Sequence, residues 1–401
     1  IVRKFFMAES NKNINNILQE NIFPINFIDL KKQYDVIEEE ITSSVGEILK
    51  SGRYILGPIV ENLENELCST TGSKYAVSVS SGTDALFITL LSLGIGQGSK
   101  VFLPSFTYTA TAEVIVLVGA TPVFVDVDEY TFNISNEDLV KKIIESNIKI
   151  SDKKSAILAV DLFGLPADYK ELKKTAEKYD LHLISDAAQS FGASVNNIKV
   201  GKLADITTTS FYPTKPLGCY GDGGAIFTDN EELAIILKSI RSHGQGADPY
   251  DNVRIGVNGR FDSLQAAILL EKLKIFDTEL KARCDIANLY NKGLADLVQV
   301  PITRGSATNS SWAQYTIITK RRDELKEYLH SKNIPTMIYY PKPMHHQSAY
   351  EKYHKKNSNL FVSERLSKEV ISLPFHPYLN NNQITFIIEE IKNFFANTSS
   401  N

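Results

Sequence analysis

Short strand-like runs alternate with segments of helical periodicity between residues 75 and 228, and this rhythm constrains the fold more than any other feature. The strand-like runs are at 75–80, 101–104, 122–127, 156–162, 182–186, 207–211 and 224–228. The helical patterns between them are at 83–93, 110–118, 136–146 and 168–179. Strands separated by helices of about ten residues predict βαβ units and a mostly parallel, buried sheet.

The flanking segments have a different pattern. Residues 35–50 and 59–71 carry apolar residues at helical spacing, on either side of the SGRYILGP break. Residues 263–292 contain neither Gly nor Pro and predict a long helix. A strand at 315–319 and helices near 323–332 and 382–396 then predict a smaller α/β lobe.

We therefore predict an α/β fold with three parts. These are an N-terminal arm (1–26), a large domain (27–262), and a long helix with a small C-terminal α/β domain (263–401). Ile1 is not a natural initiator, so we expect Met7 to be the start and residues 1–6 to be an upstream extension.

Charge and cysteine content narrow the environment and the partners. Lys plus Arg total 43 and Asp plus Glu 47, a formal charge of −4, so no basic excess favours nucleic acid or an anionic membrane. No apolar run approaches the ~18–20 residues of a membrane helix, and the charged start does not resemble a signal peptide. Three cysteines without CxxC spacing fit a reducing cytosol. We expect a cytoplasmic protein that binds neither nucleic acid nor a membrane.

The segment SSGTDAL (80–86) follows a strand and opens a helix. The free N–H groups of the first helical turn, with the hydroxyls of Ser81 and Thr83, form an anion site, and Gly82 lets a ligand approach closely. An ordinary Ser or Thr N-cap is the alternative. The chain has neither a Walker loop nor GxGxxG after its first strand, which disfavours nucleotide phosphates bound through those motifs.

A carboxylate and a lysine also stand at informative places. Asp186 closes an apolar strand, where an open α/β sheet binds its ligands, although it could instead cap the next helix. Lys215 lies between Pro213 and Pro216 in the glycine-rich segment 209–228. A lone lysine is usually solvated. An amine held rigidly and partly buried has a lowered pKa and can form an imine with an aldehyde.

Together these features fit one cofactor, pyridoxal 5′-phosphate (PLP). PLP requires an anion pocket, an amine for its aldehyde, and a carboxylate facing the pyridinium nitrogen. The SSGT segment, Lys215 and Asp186 provide all three. Tyr108, just after a strand end, is a candidate aromatic cover for the ring, or otherwise a core tyrosine.

The chain resembles the DegT/DnrJ/EryC1 sugar aminotransferases, which have the fold-type-I architecture of aspartate aminotransferase. The resemblance covers about residues 26–395. Its motifs are FIDLKKQY (27–34), GRYILGP (52–58), SSGTDAL (80–86), TYTATAE (107–113), DAAQSFGA (186–193), SFYPTKPLGCYGDGGAIFT (210–228), RSHGQG (241–246), GVNGRFDSLQAAIL (256–269), YPKPMHHQ (340–347) and SLPFHPYL (372–379).

The resemblance implies roles for the matching residues. Lys215 matches the lysine that anchors the cofactor, Asp186 the carboxylate at the pyridine nitrogen, and Gln189 the residue near the ring hydroxyl. Tyr108 occupies the ring-stacking position. The implied phosphate ligands are Gly82, Thr83 and Ser210.

A second group of residues implies a homodimer with shared active sites. Asn258 matches an asparagine that reaches the phosphate from the neighbouring subunit. Arg260 follows on the same loop and is expected to meet the substrate carboxylate or diphosphate, with a surface salt bridge as the alternative. The residues expected to contact substrate are Tyr54, Leu56, Arg260, Tyr339 and Tyr340.

Within the family the likeness is greatest to the WbpE-type enzymes. These aminate a UDP-linked 3-keto-N-acetylglucosaminuronic acid with glutamate as donor, so the resemblance implies surface polysaccharide (O-antigen) biosynthesis. One departure is Tyr339-Tyr340-Pro341, where such enzymes often have His-Tyr-Pro. A 3-keto or 4-keto 6-deoxy dTDP- or UDP-sugar remains the alternative substrate.

Three other functions are disfavoured. Dehydratase relatives replace the lysine with histidine, and Lys215 is present. A regulatory module would need a DNA-binding segment, and neither end carries a basic helix-turn-helix pattern. His345 and His346 are adjacent and so lack the helical spacing of HExxH, and we expect no metal.

Overall fold

The computed structural model describes residues 22–147, 154–248, 250–354 and 360–397. Most of the predicted arm at 1–26, including Met7, lies outside the described residues. The described end of that segment packs on the C-terminal part of the chain: Ile25 is buried there, and the Phe23 ring meets the Phe386 ring edge-on at 5.5 Å.

The strands and helices of the described residues follow the predicted alternation. The strands are β1 (Tyr75–Val79), β2 (Lys100–Pro104), β3 (Thr121–Val125), β4 (Ala156–Val160), β5 (His182–Asp186), β6 (Ser194–Val195), β7 (Ile198–Lys199), β8 (Ile206–Ser210), β9 (Gly224–Thr228), β10 (Thr308–Asn309), β11 (Tyr315–Ile318) and β12 (Val370–Leu373). The helices are α1 (Leu30–Val36), α2 (Glu38–Ser51), α3 (Pro58–Thr71), α4 (Gly82–Ser92), α5 (Ala110–Leu117), α6 (Asn136–Glu145), α7 (Tyr169–Tyr179), α8 (Glu231–Arg241), α9 (Ser263–Leu294), α10 (Arg322–Ser331), α11 (Phe361–Glu369) and α12 (Asn381–Ala396).

Local sequence explains where several helices begin and end. α2 opens with three glutamates, which favour the positive end of a helix, and stops at Gly52 with φ 67°. α12 has a capping box, in which Asn380 accepts from the Gln383 N–H and the Gln383 side chain accepts from the Asn380 N–H.

The main sheet has seven strands in the order β1-β9-β8-β5-β4-β2-β3. Only β9 runs against its neighbours, so the predicted mostly parallel α/β sheet is confirmed as a mixed sheet with one reversed strand. The carboxyl ends of the parallel strands meet at one edge, where Asp186 lies opposite Thr208 and Ser210 opposite Gly224. In open α/β sheets this edge holds the ligand.

The described residues form two smaller sheets, one of β10, β6 and β7, and one, in the C-terminal part, of β11 and β12. The core under the β11–β12 sheet includes the end of α9, where the Tyr290 ring packs 4.8 Å from the Tyr315 ring. The predicted boundary at residue 262, between the large domain and the long helix with the small domain, stays a prediction. No helix among the described residues has the length and apolarity needed to span a bilayer.

A buried ion pair covers the outer edge of β1. Glu64 Oε1 accepts hydrogen bonds from the Ser78 backbone N–H at 2.9 Å and from Arg241 Nη1 at 2.6 Å. Arg241 Nη1 also donates to the Ser78 carbonyl at 2.7 Å. The backbone N–H and carbonyl of Ser78 on this edge strand are thereby satisfied by side chains of α3 and α8, which hinders pairing with another strand at this position.

We expect Glu64→Ala to lower the free energy of unfolding by about 3–5 kcal/mol, because it leaves the Arg241 guanidinium buried without its partner. Asp35→Ala is the control, since its ion pair with Lys31 is exposed and such pairs contribute about 0–1 kcal/mol. Denaturant unfolding measures both. A loss below 1 kcal/mol for Glu64→Ala would contradict the role of this pair.

Candidate active site

The start of α4 presents unsatisfied backbone donors at the edge of the sheet. Ser81 is the N-cap, and its Oγ accepts from the Asp84 N–H at 3.0 Å. The N–H groups of Gly82 and Thr83 make no hydrogen bond within the described part of the chain. The helix dipole adds positive potential at this point, so the position suits an anion.

Glycine at position 82 is required by a close approach to β8. A Cβ built on Gly82 would lie 2.6 Å from the Ser210 Cβ, so any larger residue would push the helix start and the strand end apart. The sequence predicted a glycine that gives a ligand room. That expectation stays a prediction, and the structure adds a second reason for the glycine, which is the close approach of the Ser210 side chain to the start of the helix.

Asp186 is a buried carboxylate at the end of β5. It accepts hydrogen bonds from Thr111 Oγ1 at 2.9 Å and from the Ala188 N–H at 3.2 Å. Burial raises the pKa of the Asp186 carboxyl above its ordinary value, and the two donors and the charge of Lys215 oppose part of that rise. The residues after Asp186 form turns, so the carboxylate does not cap a helix.

Lys215 lies in the loop between β8 and β9 with a half-buried side chain. Burial lowers the pKa of its amine, and the negative charge of Asp186 opposes part of that shift. The two groups form no ion pair within 4.0 Å, although both are among the described residues. The amine is therefore both less basic than usual and free of a direct partner.

A lysine of α9 contacts the loop that carries Lys215. Lys272, almost fully buried, donates from Nζ to the carbonyl of Gly218, and its ammonium lies 4.4 Å from the centre of the Tyr220 ring. Burial lowers the pKa of Lys272 to about 8. Sequence reasoning missed this contact, because nothing in the pattern marks one lysine of a long helix as buried.

The start of α4, Asp186 and Lys215 line one cavity of about 440 Å³ at the carboxyl edge of the sheet. Of the residues predicted from sequence, the cavity brings together Gly82, Thr83, Tyr108, Asp186, Gln189, Ser210, Lys215, Tyr339 and Tyr340. Tyr108 is 57% exposed, which excludes the alternative that it is a core tyrosine.

Gln189 and the tyrosines are linked across the cavity. Gln189 Oε1 accepts from the Phe163 N–H at 2.7 Å, and its Nε2 donates to the Tyr340 hydroxyl at 3.3 Å. The rings of Tyr108 and Tyr340 have centroids 6.2 Å apart. Gln189 is thereby fixed in orientation, and one of its contacts reaches the segment predicted to bind substrate.

Four predicted residues lie outside this lining: Tyr54, Leu56, Asn258 and Arg260. Leu56 packs partly against the core, and its carbonyl accepts from Ser263 Oγ at 2.8 Å. Arg260 Nε donates to Asn258 Oδ1 at 3.0 Å on the surface.

Two polar residues of the site were not predicted. Thr111 supplies the hydroxyl on Asp186, and Gln314 lines the cavity with a buried Oε1 that has no hydrogen-bond partner. Thr111 lies within the quoted motif TYTATAE, one turn beyond Tyr108, so helical spacing could have suggested it. Gln314 lies just before the distant strand β11, and only the folded chain places it here.

The family model for the DegT/DnrJ/EryC1/StrS aminotransferase family matches residues 35–392. The chain belongs to this family. It is 41% identical to the UDP-2-acetamido-2-deoxy-3-oxo-D-glucuronate aminotransferase of Pseudomonas aeruginosa, over 92% of this chain and 100% of the relative.

Solved structures of family members agree with the fold. A DegT DnrJ EryC1 StrS aminotransferase from Brucella abortus is 46% identical, covers 93% of this chain and 100% of its own, and gives a TM-score of 0.89. NtdA from Bacillus subtilis, solved with bound cofactor PMP, is 29% identical to this chain. The match covers 94% of this chain and 85% of NtdA, with a TM-score of 0.83. This member of the family is a PLP-dependent transaminase.

The residues present fit that cofactor. The cavity offers two free N–H groups beside a serine hydroxyl for a phosphate, an unpaired amine for an aldehyde, and a buried carboxylate for a protonated ring nitrogen. Each is a complementary donor or acceptor for one part of PLP.

We expect Gly82→Ala to weaken PLP binding by about tenfold or more, because the added methyl group displaces the helix start from Ser210 and misaligns the N–H groups. A PLP titration of the apoenzyme, followed by absorbance, measures this. Gly46→Ala is the matched control, since its Cβ meets nothing within 4 Å inside α2. Equal affinity in the two variants would show that the contact is dispensable.

Proposed function

We propose that this enzyme transfers the amino group of glutamate to the 3-keto carbon of UDP-2-acetamido-3-keto-glucuronic acid, for surface polysaccharide biosynthesis. One observation carries the chemistry: an unpaired amine of lowered pKa and a buried carboxylate share one cavity. The substrate is inferred from the full-length similarity to the Pseudomonas enzyme.

The chain's own residues would hold the cofactor. We assign Gly82, Thr83 and Ser210 to its phosphate, Tyr108 to one face of its ring, and Gln189 to its ring hydroxyl. Lys215 is the covalent anchor, and Asp186 keeps the ring nitrogen protonated. When bound, PLP supplies an aldehyde that condenses with amines and a ring that accepts electrons from the adjoining carbon.

Lys215 then serves as the proton carrier. Its Nζ takes the proton from the α-carbon of glutamate and, in the second half of the cycle, delivers one to C3 of the ketosugar. Burial favours this role, because it lowers the pKa of the amine and so raises the unprotonated fraction at neutral pH. Asp186 contributes by electrostatics, since its fixed negative charge favours the protonated ring.

The sugar nucleotide is assigned to the open side of the cavity. Tyr340 lies against Phe106 and Tyr108, and burial raises the pKa of its hydroxyl, which keeps the phenol neutral and able to donate. Tyr339, beside it, stands where WbpE-type enzymes often have histidine. Arg260 is the cation we assign to the substrate carboxylate or diphosphate.

We further propose a homodimer with shared active sites. Tyr54 and Arg260 lie on one stretch of surface, because Ile55 bridges to Asp262 in antiparallel fashion. This surface carries exposed apolar side chains, with Tyr54 46% and Ile55 50% exposed. A second copy would cover them and would bring Asn258 and Arg260 to the partner's cavity.

We propose a cytoplasmic location, because the cysteines of the chain, all among the residues that the structure describes, form no disulfide bond. Cys68, Cys219 and Cys284 are all free, as in proteins of reducing compartments.

The decisive assay offers the holoenzyme glutamate with UDP-2-acetamido-3-keto-glucuronic acid and, separately, with 3-keto and 4-keto 6-deoxy dTDP-sugars. We expect at least about tenfold higher kcat/KM for the acid, because Arg260 recognises its carboxylate. Equal or faster amination of a 6-deoxy sugar would overturn the proposed substrate.

In the same assay, Lys215→Ala should give no turnover and still bind pyridoxamine phosphate. Turnover by Lys215→Ala would overturn the mechanism.

Subunit mixing tests the shared site. We expect Asn258→Asp to be inactive, since a carboxylate would repel the phosphate of the neighbouring site. Lys215→Ala and Asn258→Asp subunits, exchanged in equal amounts, should recover about a quarter of wild-type activity, because half the dimers are mixed and each holds one intact site. No recovery from verified heterodimers would contradict the shared site.

A further inference from the structure

A cluster of metal-ligand side chains lies away from the cavity. His345 Nε2 is 3.3 Å from Glu364 Oε1, and His346 Nε2 is 3.8 Å from the same oxygen. The three ligand atoms all lie within 4.8 Å of one another. Four tetrahedral ligands at about 2.0–2.1 Å from Zn²⁺ are about 3.3–3.4 Å apart, so the cluster is close to the spacing that a metal requires.

A tight turn explains how two adjacent histidines reach one point. Met344–His346 form one turn of 3₁₀ helix, and the two imidazole centroids are only 4.1 Å apart. The turn is fixed to the residue that follows β2, because the Met344 N–H donates to the Ser105 carbonyl at 2.8 Å. Glu364 comes from the first turn of α11.

The second ring nitrogen of His345 has a hydrogen-bond partner of its own. The residue is 1% exposed, and its Nδ1 lies 2.6 Å from Ser105 Oγ. When Nδ1–H donates to that hydroxyl, the lone pair of Nε2 points towards Glu364. A partner of this kind on the second ring nitrogen fixes the orientation and tautomer of a ligating imidazole.

A simple histidine–carboxylate hydrogen bond accounts for only part of this arrangement. It would need one imidazole, whereas two converge on Glu364 Oε1. None of the three residues lines the cavity that holds Lys215. The cluster is therefore distinct from the transamination site.

We propose that His345, His346 and Glu364 bind a divalent transition-metal ion, Zn²⁺ being the best match. Two imidazole nitrogens and one carboxylate oxygen suit Zn²⁺ and its neighbours, while Mg²⁺ and Ca²⁺ prefer oxygen ligands alone. The exposed side of His346 leaves room for water as a fourth ligand. The ion would tie the segment after Tyr340 to α11.

Zinc titration of tag-free, chelator-treated holoenzyme tests the site, with a competing chromophoric chelator reporting free zinc. We expect one tight zinc per chain and a higher melting temperature with zinc, but not with magnesium. His346→Ala and Glu364→Gln should each weaken binding by about tenfold or more. His330→Ala is the control, because it removes an exposed histidine at the end of α10.

We expect both test variants to fold. His346 is exposed, and glutamine keeps the shape of Glu364. Retained PLP absorbance in each variant verifies that it is folded. Absence of stoichiometric zinc in the wild type, or unchanged affinity in both variants, would overturn the proposal. Neither result bears on the transaminase assignment.

Discussion

A carboxylate buried at the end of a central strand is the constraint on which the active site depends. Removing Asp186 from water is unfavourable, and the fold compensates with the Thr111 hydroxyl and the Ala188 N–H. That compensation is incomplete, because burial still raises the pKa of the carboxyl. A cation placed against Asp186 would supply the stabilisation that its buried negative charge still lacks. The fold thus maintains an unfavourable charge whose natural complement is a protonated ring nitrogen.

A second buried carboxylate explains how Asp186 keeps its position. Asp161 follows the neighbouring strand β4 and accepts hydrogen bonds from Tyr169 at 2.7 Å and from Ser190 at 2.6 Å. Burial raises the pKa of Asp161 to about 7. Because the Asp161 N–H donates to the Asp186 carbonyl at 3.0 Å and Ser190 belongs to the turn after Asp186, the network holds that turn from both ends.

Sequence patterns predicted the parts of this structure that depend on local periodicity. The alternation of strands and helices placed Asp186 at a strand end and α4 after β1, and both positions were confirmed. α8 was not predicted, although Asn230 caps it and two glutamates open it. The two-residue strands are too short for any period. Gln314 and Lys272 act through tertiary contacts that no linear pattern records. The same holds for His345 and His346, whose adjacency argues only against a shared helical face.

The structure divides the predicted site between an interior and a surface. Apart from Asn258, the groups expected to hold PLP line the cavity of one chain and are fixed by strands, a helix start and Lys272 of α9. Asn258, Arg260 and Tyr54 instead lie on exposed segments outside the cavity. Cofactor chemistry requires rigid placement to a fraction of an ångström, which a packed interior supplies. Recognition of a sugar nucleotide requires an opening large enough for a bulky anion. A surface that is completed by a second subunit meets that need without loosening the interior, which is the physical reason to expect the shared site.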